Sequence, residues 1–376
     1  MIDGRVLCLL LVSAVFAYAD NNVSTVGKDF IFTFFNAYQP VIAPLGVQLL
    51  ALVSNNNNVT ANVVVTSSYI LFKNIRVSVP PYSVLKIPLA PESIEDQYPG
   101  KDDGDDRIVV EDKGIRLQSD LPVAVYAHAE LLDGFSADSF LVLPTVHLGM
   151  RYVAATNWRQ AGPYGPNMIA VVAYQDNTQI TIGNQSVTIN ALQVASIASD
   201  NVLSGTVISG NKPFGAISGC TCGFVGPEDA CDYEATMLLP VGNWGTQFTA
   251  IPFMYLSTSF YQVMTNTNNT VVSAGGKTIA TLNAGEYREF QIGAALITSN
   301  YPIQLIEMGQ TVPNDRHSLG DPFFLQLPST DKMSNANVLF QPTGFFESAA
   351  VKLEFFLRIV TNLAGTGTIQ LDGTTI

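Results

Sequence analysis

Apolar residues in this chain come in short runs that alternate with polar turns, and the spacing is that of strands. VAVYA (Val123–Ala127), FGAIS (Phe214–Ser218) and IQLIE (Ile303–Glu307) are each entered through a turn ending in proline: Ser119-Asp120-Leu121-Pro122, Gly210-Asn211-Lys212-Pro213 and Ser299-Asn300-Tyr301-Pro302. These prolines lie 91 and 89 residues apart. No segment sustains an apolar period of 3.6 residues between a cap and a glycine stop, so very little helix is predicted.

Two more landmarks repeat with the prolines. Upstream, Asn58-Val59-Thr60 precedes ANVVV, Asp176-Asn177-Thr178 precedes QITI, and Asn269-Thr270 precedes VVSA, each a polar turn running into β-branched residues. Downstream, SFLVLP, TMLLP and FFLQLP end at Pro144, Pro240 and Pro328. After the first two, Pro144-x4-Gly149-x2-Tyr152 matches Pro240-x4-Gly245-x2-Phe248, whereas Met333 replaces the glycine in the third. A repeat changes the meaning of every residue inside it. The predicted units run over 27–160, 165–256 and 258–346, and LEFFLRIVTN in 351–376 resembles SFYQVMTNTNN. That last stretch is expected to be the start of a fourth unit, cut in mid-unit as in a fragment, or a segment packing back on an earlier unit.

The first unit is longer. Its excess falls on Pro91–Asp112, which has nine acidic and two basic residues and no strand pattern, so an exposed acidic insertion over 91–112 is predicted. Apolar residues make up 47% and charged residues 13%, with 29 Gly and 20 Pro, the make-up of strands and turns. The expected fold is all-β: tandem antiparallel β-sandwich-like repeats of about 90 residues. Propeller blades would need only about 40–50 residues each.

Residues 1–19 read as a secretory signal peptide: Arg5, an apolar run from Val6 to Phe16, then Ala17-Tyr18-Ala19. No later stretch is apolar enough to span a bilayer, since Val351–Val360 is broken by Lys352, Glu354 and Arg358. Removing the leader takes one acid and one base, so the net charge stays at -13. Such a chain repels phosphate backbones, which argues against nucleic acid as a partner.

Few residues carry chemistry. Cys8 leaves with the leader, and Cys220, Cys222 and Cys231 remain. Cys220 and Cys222 flank one strand residue and share a face, where a bond between them would be strained. One of them with Cys231 closes a loop of about ten residues; the pair Cys222–Cys231 is taken, leaving Cys220 free, buried or paired to another chain. None of His128, His147 and His317 is close enough in sequence to complete a zinc site, and no cofactor is expected. Asn22, Asn58, Asn184 and Asn268 are glycosylation acceptors by sequence. Asp102, Asp103, Asp105 and Asp106 form a solvated acidic loop and, at most, a weak calcium site, since the twelfth-position glutamate of an EF-hand is missing. A hydrolase triad could draw on Ser136 or Ser139, His128 or His147, and Asp133 or Asp138. The repeat opposes it, because Asp138 and Glu234 both sit six residues before a landmark proline and belong to the shared framework; no enzyme is predicted. Trp158 and Trp244 are expected to pack in the core or at an edge.

The run TVISGNKPFGAISG, then Cys222, Cys231-Asp232 and LLPVGNWGTQF resembles the N-terminal domain of the IgGFc-binding protein family. IAVVAYQDNTQITI, SDLPVAVYAH, DSFLVLPTVHLGMRY and GKDFIFTFF are similar to other segments of that domain, and the resemblance covers most of 27–345. It implies a secreted or surface protein of mucus or matrix type that binds an extracellular protein or glycan. It also implies that the second cysteine pairs with the third, in agreement with Cys222–Cys231, with Cys220 a departure. A purely structural spacer is the alternative, and a secreted hydrolase the third reading.

Overall fold

A computed structural model describes residues 24–37, 46–96, 106–131, 136–158, 165–226, 231–253, 256–310, 322–333, 339 and 357–376. The fold is all-β, with only short 3-10 turns besides strands among the described residues. The first sheet takes β1 (Val26–Phe32), β2 (Val47–Asn55), β3 (Ala61–Ser67), β4 (Ile75–Val79) and β5 (Ser83–Pro88). After β6 (Val109–Glu111) it adds β7 (Ile115–Leu131) and β8 (Ala137–Val142). The second sheet holds β9 (Gly149–Val153), β10 (Asn167–Ala173), β11 (Thr178–Ile182), β12 (Gln185–Ile189), β13 (Val194–Ser199), β14 (Val207–Gly223) and β15 (Asp232–Met237). The third holds β16 (Gly245–Ala250), β17 (Ser259–Thr265), β18 (Thr270–Ala274), β19 (Lys277–Leu282), β20 (Tyr287–Ile292), β21 (Ala295–Gly309) and β22 (Phe323–Gln326).

The three sheets share one topology. Orders β4-β3-β7-β2-β5, β12-β11-β14-β10-β13 and β19-β18-β21-β17-β20 are the same path, and in each the first and last strands of the set also pair with the long strand. The landmark prolines, predicted to end a turn, lie inside β7, β14 and β21. They are tolerated because the ladder breaks there: the partner register shifts between Gly27 and Asp29 beside Pro122, and between Ser209 and Phe214 around Pro213. A residue without an N–H is accommodated at such a bulge. The long strand thereby passes from one set of neighbours to another, β3 pairing with its first half and β2 with its second.

Two sequence expectations are corrected. Gly149–Val153 and Gly245–Ala250 pair with β14 and β21, so residues assigned to the ends of units 27–160 and 165–256 open the next sheet instead. The insertion 91–112 is not simply an exposed loop: Ile94 and Asp96 are fully buried, Asp96 N–H bonds Phe34 O at 2.6 Å, and β6 adds to the edge of β13 in the second sheet. Residues 97–105 of the insertion lie outside the described residues.

The sheets also share cores. Met168, Ala170 and Val172 on one face of β10 join the core of the first sheet. Ile169, Val171 and Ala173 on its other face join a core that reaches Met264, Ile306 and Phe324 of the third. β10 is therefore buried at all seven positions, and NMIAVVA shows no polar alternation because it has no solvent face. Beyond the third sheet, β23 (Gln370–Leu371) and β24 (Thr374–Thr375) form a hairpin through Asp372 and Gly373, both at positive φ. Arg358 pins this last segment: its guanidinium donates to Glu307 Oε1 at 3.0 Å and Oε2 at 2.6 Å, and lies 4.2 Å from the Phe253 ring centre.

Candidate functional site

The last strands of the three sets, β8, β15 and β22, lie side by side without a shared ladder, so their edge N–H groups need side-chain acceptors. Asp138 Oδ2 accepts from Ala235 N–H at 3.0 Å, and Asp232 Oδ1 accepts from Ala137 N–H at 3.0 Å and from the Ser136 hydroxyl. Leu239 N–H instead finds Gln326 Oε1 at 2.9 Å. Asp138 as a residue is only half-buried, but its carboxyl end is enclosed in the seam, and burial pushes its pKa up to about 7.

One side of this seam leads to the cysteines. β14 ends at Cys222 and Gly223, and Cys222 is bonded to Cys231, with Cα atoms 5.1 Å apart. Cys220 is fully buried and its sulfur donates to Gly165 O at 3.2 Å; burial and the neighbouring Glu234 push its thiol pKa well up, which leaves it an inert thiol. Glu234 is opposite Cys220 on β15, fully buried, and Asn157 Nδ2 donates to its two oxygens at 2.9 and 2.8 Å. Burial drives this carboxyl's pKa up. Gly223 is required by close approach, since a Cβ there would lie 2.1 Å from Glu234 Oε2. Asn157 N–H in turn bonds Asn167 Oδ1 at 3.0 Å, so the backbone entering Trp158 is fixed from two sides.

The two tryptophans part company here. Trp244 is 6% exposed and its Nε1 donates to Leu239 O at 3.1 Å, a packing residue as predicted. Trp158 is 43% exposed, against the prediction of core or edge packing. The exposed ring beside an anchored backbone is the residue that sequence reasoning missed; the only signal was its place after Asn157 in a polar stretch.

Other predicted residues fall apart or fall elsewhere. His128 Nδ1 lies 2.6 Å from Ser139 Oγ, and Nε2 lies 3.5 Å from Glu130 Oε2. These are cross-strand and same-face neighbours on β7 and β8. Asp138, next to Ser139, points to the opposite face and bonds Ala235, and Ser136 serves Asp232, so among the described residues the structure brings together only His128 and Ser139 of the triad drawn from sequence. His147 Nε2 accepts from Ser24 N–H at 3.1 Å. Asp133 and His317 lie outside the described residues, as do Asn22, Asp102, Asp103 and Asp105. Asp106 is exposed, and among the described residues no group of three or more His, Cys, Asp or Glu is arranged around a metal. Asn58, Asn184 and Asn268 are exposed in turns. Among the described residues, no helix is long and apolar enough to cross a membrane.

Fold and site together define an all-β repeat module with one disulfide-stapled end and an exposed tryptophan beside it. A family profile described as IgGFc binding protein matches residues 138–376, and the chain belongs to this family. No curated protein and no solved structure matches the chain.

Proposed function

We propose that the chain is a secreted, glycosylated, non-enzymatic binding module of the extracellular space, contacting a protein or glycan through the stapled end of its second sheet. The observation that carries this reading is Trp158, exposed on a backbone clamped by Asn157, Asn167 and Glu234 and close in the fold to the Cys222–Cys231 bond. A rigidly presented tryptophan contributes large contact area at little entropic cost. Family membership supports the binding role, and a disulfide suits an oxidising compartment. Immunoglobulin G Fc is the first partner to try, because the family description names it; no residue here carries that specificity by motif.

The test is capture of extracellular proteins, Fc included, together with a glycan array, using the purified chain and Trp158→Ala. The reading expects a partner whose affinity falls about tenfold or more in the variant. Silence in both formats supports a structural spacer, a reading favoured by the continuous cores that join the sheets.

A further inference from the structure

Equivalent edges of the second and third sheets are treated differently. In the second sheet the outer edge of β13 is closed by β6, with Val194 opposite Glu111, Ala195 opposite Val110 and Ser196 opposite Val109. The donor belongs to the insertion of the first unit. In the third sheet β20 holds the place of β13, and no strand among the described residues pairs with its outer edge. The connection from β13 to β14 is short and offers no strand to fill it, whereas the connection from β5 to β7 supplied β6. In the first sheet the equivalent strand, β5, ends in Pro88 and carries Lys86, residue types that discourage added strands.

The β20 edge is suited to pairing. Glu286 O accepts from Thr265 N–H, so alternation along an antiparallel strand turns the N–H and C=O of Tyr287, Glu289 and Gln291 away from β17. Tyr287, Phe290 and Ile292 are half-buried and leave apolar surface beside the edge, while Arg288 is exposed. We propose that β20 is a strand-acceptor edge that binds, in trans, an extended apolar and acidic segment of another protein in the manner of β6 on β13. Transferring the β6 register puts the equivalent of Val110 opposite Arg288 and the equivalent of Asp112 diagonal to it, within reach of the guanidinium though directly opposite Glu286. Main-chain bonds give such a site its affinity, and this diagonal charge contact helps fix register. The assignment rests on strand geometry and does not require the Trp158 reading.

The probe is a labelled peptide of residues 106–114, DRIVVEDKG, added to the whole chain. Saturable binding is expected, with slowed amide exchange confined to Tyr287–Ile292. Gln291→Pro removes one outward N–H at an edge where proline is tolerated, and should weaken binding about tenfold; Arg288→Glu should weaken it about threefold. A far-ultraviolet spectrum and melting curve matching the parent show that each variant is folded. No binding, protection at β13 instead of β20, or a concentration-dependent dimer lost in Gln291→Pro would each overturn the proposal, the last by making a second copy the occupant. Failure here with retained Trp158-dependent capture would leave the proposed function standing, and the reverse outcome would separate them equally well.

Discussion

The seam between the first and second sheets and the seam between the second and third are built on equivalent strands with different chemistry. In the first, β8 and β15 exchange carboxylates: Asp138 accepts from Ala235 N–H and Asp232 from Ala137 N–H. In the second, neutral amides do the bridging: Gln326 Oε1 accepts from Leu239 N–H, Gln326 Nε2 donates to Gln304 Oε1 at 3.2 Å, and Gln304 Nε2 donates to Val153 O at 3.1 Å. Gln262 Nε2 also bridges this seam, donating to Thr156 O at 3.2 Å and to Glu289 Oε1 at 2.8 Å, and burial raises the pKa of that carboxyl as well. Equivalent strands therefore carry seams of different chemistry, a carboxylate exchange in the first and mainly amides in the second, although Asp138 also accepts from Phe324 N–H of β22 and so reaches the third sheet.

The sign of that difference follows from the shifts. Burial raises Asp138 from 3.8 to about 7 and Glu95, behind the same seam, from 4.5 to about 7; Asp96 and Glu234 are also raised. A carboxyl whose folded pKa exceeds its unfolded one binds more protons folded, so its contribution is present below about pH 4 and is lost as pH rises towards 7.

The largest expected effect lies at the edge of this comparison, where a full ion pair replaces both devices. Arg358→Ala leaves Glu307 fully buried without its ion-pair partner, held only by the Tyr261 hydroxyl at 3.2 Å, and should cost about 3 kcal/mol in denaturant unfolding. Separating Cys222 from Cys231 by paired serine substitutions should cost about 2–3 kcal/mol, as a loop of this length implies, without altering the pH response. Gln304→Leu orphans Val153 O and one Gln326 contact and should cost about 1–3 kcal/mol equally at pH 5 and pH 8. Smallest is Ile70→Ser, at a 91% exposed side chain, which should stay within about 0.5 kcal/mol.

Much of the fold was legible because it is written three times. The prolines at 122, 213 and 302 and the polar turns before β3, β11 and β18 located the strand sets and the all-β class. What sequence did not show is pairing partners distant in the chain: Gly149–Val153 reads as the tail of one unit and bonds β14, and Val109–Glu111 is three residues in an acidic stretch whose partner lies beyond position 190. Burial of Ile94 and Asp96 depends on that same distant packing. The site was half visible. Cysteine spacing with the family resemblance gave Cys222–Cys231, but Trp158 and Trp244 are one residue type whose opposite exposures follow from tertiary neighbours alone.

The most direct test of a titrating first seam is the unfolding free energy of the parent, Asp138→Asn and Gln304→Leu at pH 5 and pH 8. Net charge of -13 makes the parent's own pH slope ambiguous, since acid also relieves self-repulsion, so the variants carry the test. The expected result is a parent more stable at pH 5 than at pH 8, a clearly smaller difference in Asp138→Asn, and the parent's difference in Gln304→Leu. Equal pH differences in all three proteins would contradict it.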